Sequence, residues 1–237
     1  MAFAGGMFRT TARNIVGNVS DLDRFKICSP QVIAIRSRYY VSILLKRLRV
    51  KRVAHIPRAL AGLAGLSSDE PYKKYRNDFF RYWKGGNIKN GELVSTIDDL
   101  LPGTARALHH PIWILLSGNA FAKKELVRLG QEIEVGLQQH ILQYDEGTGN
   151  IWLQDHSGNW RLLRYESPFV KLINRHGLDE LAALMILIHA HERPGEHFGI
   201  SCLFTCEMYR CLAGISRTEE FEPIFTELYT IASQLYS

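Results

Sequence analysis

Helix breakers recur at short intervals through the first half of this chain, and they restrict it to short elements. Pro57, the run SSDEP at 67–71, Gly85–Gly86, Pro102–Gly103, Pro111 and Ser117–Gly118 follow one another along the sequence. Proline fits a first helical turn, where its missing donor costs nothing, but not a helix interior. Glycine after an apolar-periodic run supplies the left-handed residue that ends a helix. The segments between these signals carry apolar residues at helical spacing. The spacing predicts helices over 31–50, 52–65, 72–84, 90–101, 105–118 (kinked or restarted at Pro111) and 120–144. It predicts further helices over 167–177, 178–192, 200–214 and 219–236.

Residues 144–165 differ. Two short apolar–polar runs, Ile151–Gln154 and Trp160–Leu163, flank DHSGN, with Gly158 in the turn. That is the pattern of a β-hairpin. The expected fold is mainly α: a helical bundle with an N-terminal helix-turn-helix-like module and a short hairpin near 150–164. The expected division is a loosely ordered segment 1–30, a basic helical module 31–104 and an acidic helical domain 105–237 with the hairpin.

Charge is divided as sharply as structure. From Ala34 to Lys89 there are fourteen Lys/Arg against three Asp/Glu, a net of +11, while residues 90–237 carry −8. A basic block joined to an acidic body suggests one region that meets a polyanion and one that does something else. In 31–50 the apolar positions Val32, Ile35, Tyr39, Ile43 and Leu48 share a face, with Arg and Lys opposite, which reads as a basic amphipathic helix. Four cysteines, three of them within ten residues of an apolar stretch, are too few for a secreted disulfide scaffold, so reduced thiols and an intracellular chain are expected. No apolar run reaches the roughly 20 residues that span a bilayer, and no membrane partner is expected. The N-terminus, with Arg9, Arg13 and no acid before Asp21, reads as a flexible tail, its composition also fitting a transit peptide.

Residues 52–104 combine a helix, a break, a second helix with Tyr75, Phe79, Phe80 and Trp83 as anchors, and a capped helix. This is the layout of a helix-turn-helix. The stretch FFRYWKGGNIKNGELVSTIDDLL, through Trp83, Gly85, Leu93, Ile97 and Leu101, resembles the recognition-helix end of the phage-repressor (Cro/C1, XRE-like) helix-turn-helix family. The resemblance covers about fifty residues and implies a base-facing surface on Tyr72–Lys84 and a phage-related or mobile-element origin. Two features depart from that family: the linker 66–71 is longer than its tight turn, and the first helix lacks the usual bracing Gln.

The candidate nucleic-acid contacts are Lys73, Lys74, Arg76, Arg81, Lys84, Lys89, Arg47, Arg49, Lys51 and Arg52, with Tyr75, Tyr82 and Trp83 as stacking residues. Phosphate neutralisation by such a set makes binding salt-dependent, and aromatics among cations also suit unpaired bases. DNA is the expected partner, with RNA or single-stranded DNA as alternatives. The same basic faces also suit an acidic protein, including this chain's own acidic half. The C-terminal apolar stripe Phe221, Ile224, Phe225, Leu228, Tyr229 and Ile231 reads as core, or as a homodimer or partner surface.

Catalytic motifs do not emerge: G-x-S-x-G, the P-loop and G-x-G-x-x-G are all missing from the sequence. His189, His191, Glu192 and His197 in IHAHERPGEH would not converge from one helix, since i and i+2 point to different faces. Cys202 and Cys206 share a face at i,i+4, but SCLFTCEMYRCLAG reads as a core helix with its cysteines packed as small apolar groups. His109–His110 reads as a packed junction rather than a catalytic pair. Asp98–Asp99 and Glu219–Glu220 read as solvated. No catalytic residue, metal ligand or cofactor is assigned. The expectation is a non-enzymatic DNA-binding regulator or accessory protein, cytoplasmic or nucleoid-associated in a bacterium, with a protein–protein adaptor as the second reading and a metal-dependent enzyme as the third.

Overall fold

The computed structural model describes residues 28–134, 137, 143–144, 151–154, 160–162, 177–191 and 198–236. The chain is mainly helical there. In order, the helices are α1 (Pro30–Arg47), α2 (Ile56–Leu63), α3 (Glu70–Lys73), α4 (Arg76–Trp83), α5 (Gly91–Leu100), α6 (Thr104–His109), α7 (Ile112–Leu115), α8 (Lys123–Gln131), α9 (Leu178–His191), α10 (Phe198–Ile215) and α11 (Phe225–Leu235). Three short strands pair antiparallel in the order β1 (Gln143–Tyr144), β2 (Ile151–Gln154), β3 (Trp160–Leu162). Tyr144 faces Ile151 and Trp152 faces Leu162. The DHSGN residues between β2 and β3 lie outside the described residues, as do 1–27 and all but Gly177 of the helix expected over 167–177.

Helix α1 starts at an N-cap serine: Ser29 Oγ accepts the Val32 N–H at 3.3 Å, and Pro30 takes the first helical position. Its surroundings differ from the expected solvated basic face. Val32, Ile35, Tyr39, Tyr40, Val41 and Leu44 are buried, and so are Arg36, Ser37 and Ser42. The helix packs against α4, α6, α7 and α11. A helix buried around most of its circumference belongs in a core. Arg36, only 2% exposed, donates to Asn87 Oδ1 at 3.2 Å. Arg38 reaches Glu227 at 2.7 Å and Lys46 reaches Glu220 at 2.6 Å. The two halves of the chain therefore meet: buried apolar residues from Cys28 to Tyr236 form one cluster across the boundary expected at 104/105.

The segment expected as one helix over 72–84 is two. The Tyr75 N–H bonds to the Tyr72 carbonyl three residues back, a tight turn that separates α3 from α4. No proline or glycine marks that break. Helix α4 then buries Phe79 and Tyr82 and ends in a Schellman motif, with Gly85 N–H to the Tyr82 carbonyl and Gly86 N–H to the Arg81 carbonyl. Gly85 sits at φ +90°, and a Cβ there would lie 2.8 Å from Ala34 Cβ on α1. Helix α2 is preceded by a single 3₁₀ turn, Val53–His55, and carries Pro57 in its first turn, as the sequence suggests.

Helix α5 begins as expected, with Asn90 Oδ1 accepting the Leu93 N–H at 3.0 Å. The chain restarts at Pro111 between α6 and α7, as anticipated. Asp98, read from sequence as solvated, instead caps α6: its Oδ1 accepts the Ala105 N–H at 2.7 Å and the Thr104 hydroxyl at 3.2 Å. Asp98→Ala is expected to cost about 1–2 kcal/mol, read as a lower urea midpoint, whereas exposed Asp99→Ala should leave the midpoint unchanged. Helix α8 is shorter than expected, ending at Gln131 rather than running on to Tyr144. In α9 every residue from Leu181 to Ile188 is buried, and α9 packs along α10.

Candidate nucleic-acid interface

Helix α4 divides by periodicity. Phe79 and Tyr82 face the core, Trp83 is half-buried, and Arg76, Asn77, Phe80, Arg81 and Lys84 at its end are exposed. Arg76, Phe80 and Lys84 follow one another at four-residue steps, so they lie in one row along the outer face, about 6 Å apart. All ten candidate cations are exposed. They are not equally available. Lys73 is held by Glu70 at 2.7 Å and Arg81 by Asp78 at 2.8 Å. Arg47 donates to the Pro102 carbonyl at 2.6 Å, next to the end of α5. Lys74 lies 4.8 Å from the centroid of the Tyr75 ring. Arg49, Lys51, Arg52, Arg76, Lys84 and Lys89 form no ion pair among the described residues, and exposed Arg58 on α2 joins them.

Arg49 occupies a costly conformation. It closes α1 in a Schellman motif at φ +54°, with the Val50 N–H bonded to the Leu45 carbonyl. Gly65 and Gly85 fill the same position after α2 and α4. A side chain in that region costs about 1–2 kcal/mol, so a cation stands where the backbone favours glycine.

The stacking residues need correction. Tyr82 has no exposed surface, so its ring face is closed to a base. It is anchored edge-on against Phe79. Tyr75 and Trp83 are half-buried. The exposed aromatic of this face is Phe80, at 37%, which the sequence marked only as an anchor. Its place in the row Arg76–Phe80–Lys84 was the available signal.

A second polar cluster joins α6, α7, α8 and α9. Asp179 Oδ1 accepts from Arg106 at 2.6 Å, from the Glu134 N–H at 2.9 Å, and lies 3.2 Å from His110 Nε2. His110 Nδ1 accepts the Ile112 N–H at 3.2 Å, which leaves the Nε2 proton for Asp179. With both ring nitrogens occupied and the residue 3% exposed, His110 has no nitrogen for a substrate. Burial pushes its pKa down, against the hydrogen bond and charge of Asp179. Burial pushes Asp179 up, but the hydrogen bond from His110, the neighbouring charges and the Glu134 N–H outweigh it and hold the carboxyl below its usual range. This is a clasp between helices, which agrees with the packed-junction reading.

Glu180, one residue on, is buried, and desolvation raises its pKa although its carboxylate meets the Gly177 N–H at the start of α9. Glu180 thus stands at N3 and reaches back to the N-cap N–H, one half of a capping box, since Gly177 has no side chain to return the bond. Cys211 is buried beside it, its thiol pushed up to about 12 by burial and then by the Glu180 charge. Cys202 and Cys206 are exposed, contrary to the packed-helix expectation. Among the described residues no three His, Cys, Asp or Glu side chains gather as metal ligands. Glu192 and His197 lie outside the described residues, as does the His191 side chain. The C-terminal stripe is mixed: Phe221, Ile224, Leu228 and Ile231 are core, while Phe225 is half-buried and Tyr229 exposed, their rings 6.1 Å apart. No described helix is long and apolar enough to cross a membrane.

No known protein family, curated protein or solved structure matches this chain.

Proposed function

We propose that this chain is a nucleic-acid-binding regulator or accessory protein, with DNA as the expected ligand and α2–α5 as its helix-turn-helix-like module. The observation that carries this is the set of exposed cations at 49, 51, 52, 58, 76, 84 and 89 that no described carboxylate neutralises. Solubility alone does not need so concentrated a charge, whereas a polyanion does. The C-terminal helices serve as core and, through Phe225 and Tyr229, as a self-association or partner surface.

A salt-series titration of the full chain against DNA tests this. If six phosphates are neutralised, log K is expected to fall with a log[salt] slope of about −5, a loss of roughly a thousandfold between 50 and 200 mM. Arg76→Gln with Lys84→Gln should flatten the slope by about 2, with an unchanged circular dichroism spectrum. A titration without binding at low salt, or a slope that the double variant leaves alone, would count against DNA as ligand.

A second reading has its own observation. Arg38 and Lys46 of the basic block already pair with Glu227 and Glu220 of the acidic half. The remaining cations could engage an acidic protein in the same way, and co-purification that survives nuclease treatment would favour that.

A further inference from the structure

We propose, building on the nucleic-acid reading above, that the outer face of α4 takes an unpaired strand, with Phe80 as the surface on which a base stacks. Phe80 is the exposed ring of α4, and the rings beside it, Phe79 and Tyr82, hold the helix to the core. The platform is therefore rigid. Phenylalanine has no donor or acceptor, so it cannot make the paired hydrogen bonds by which Arg, Asn or Gln read base edges in a groove. Its π face suits any unpaired base.

Charge is placed to match. Arg76 lies one turn before Phe80 and Lys84 one turn after, both exposed and uncommitted among the described residues, while Arg81 beside them is held by Asp78. A strand running along α4 would meet a cation, a ring and a cation within about 12 Å, the length of eight helical residues. Trp83, three residues from Phe80 and half-buried, offers part of a second ring.

A duplex fits this face less well. Groove insertion uses the N-terminal end of a recognition helix. Here α4 is eight residues long, cut from α3 by the turn at Lys74–Tyr75, and carboxylates at that end, Glu70 and Asp78, take up Lys73 and Arg81. An exposed apolar ring between cations gains nothing from a duplex backbone but gains stacking from a splayed base.

The test is fluorescence anisotropy of the full chain with oligothymidine, a matched duplex and single-stranded RNA, for wild type, Phe80→Ala, Phe80→Tyr and Arg76→Gln/Lys84→Gln. Single strands are expected to bind more tightly than duplex. Phe80→Ala should weaken single-strand binding about tenfold or more without altering the salt slope, and Phe80→Tyr should restore it. The double variant should flatten the slope instead. Tighter duplex binding, or single-strand affinity indifferent to Phe80→Ala, overturns the unpaired-strand assignment and leaves nucleic-acid binding standing. Failure to bind any of the three at low salt overturns both, and leaves an acidic protein as the ligand of this face.

Discussion

Asp179→Ala is expected to destabilise the fold by about 2–4 kcal/mol. Three donors lose one acceptor: the Arg106 guanidinium, the His110 ring and the Glu134 N–H. Arg106 is partly exposed and can turn to water, so its pair contributes little. The buried His110 N–H cannot, and an unsatisfied buried donor is costly. Urea unfolding reads the loss; a change under about 1 kcal/mol would mean that the clasp is not structural. The same cluster sets a pH dependence. His110 is held below the ordinary imidazole value of 6.5 and Asp179 below the ordinary 3.8, so each binds fewer protons folded than unfolded as pH falls. Both contribute fully above those values. The histidine's contribution starts to be lost as pH drops below 6.5, and the carboxylate's is lost further down, through its depressed value. The urea midpoint of wild type should therefore fall on acidification, and that of His110→Gln should fall less between about pH 8 and pH 5. Parallel curves would contradict a neutral, buried His110.

Gly85→Ala should cost about 2–4 kcal/mol. Two penalties add at this residue: a backbone at φ +90° that side chains avoid, and a Cβ driven to 2.8 Å from Ala34 Cβ on the central helix. Because α1 is packed against several other helices, it cannot simply move away. Gly62→Ala is the matched control. Gly62 lies in α2 with nothing within 4 Å of an added Cβ, so alanine there should stabilise by about 0.5–1 kcal/mol. Thermal or urea unfolding of the two variants should move in opposite directions. If Gly85→Ala were neutral, the close approach of α4 to α1 would be wrong.

The candidate site was legible to different depths. The ten cations were chosen from sequence, and every one is exposed, because lysine and arginine at the ends of short helices have little else to do. Which of them are committed was not legible. Lys73 and Arg81 lose their freedom to carboxylates three residues away, a spacing visible in the sequence. Arg47 loses its freedom to a carbonyl 55 residues away, which no local rule reveals. The aromatics were hardest: Tyr82 and Phe80 stand two residues apart in FFRYW, and apart from the row Arg76–Phe80–Lys84 it is the packing of α4 that decides which ring meets the core and which meets solvent.

The sequence alone determined the helical character of the chain and many of its boundaries: Asn90 as a cap, Gly85 as a terminator and the restart at Pro111. Those features depend on hydrogen bonds spanning three to five residues, so they are written locally. The tertiary structure decided that the basic helix 30–47 is buried among the other described helices, since its partners Asn87, Glu220 and Glu227 lie 51, 174 and 189 residues away. It also decided where the positive charge is spent. Arg36 is buried against the Asn87 amide, Arg38 and Lys46 pair with Glu227 and Glu220, and the exposed cations of the basic block without an ion pair among the described residues lie on the chain that joins α1 to α2, on α2, on α4 and its flanks, and at Lys89. A charge's partner is fixed by which surfaces meet when the apolar faces pack, and the pattern along the chain does not carry that information.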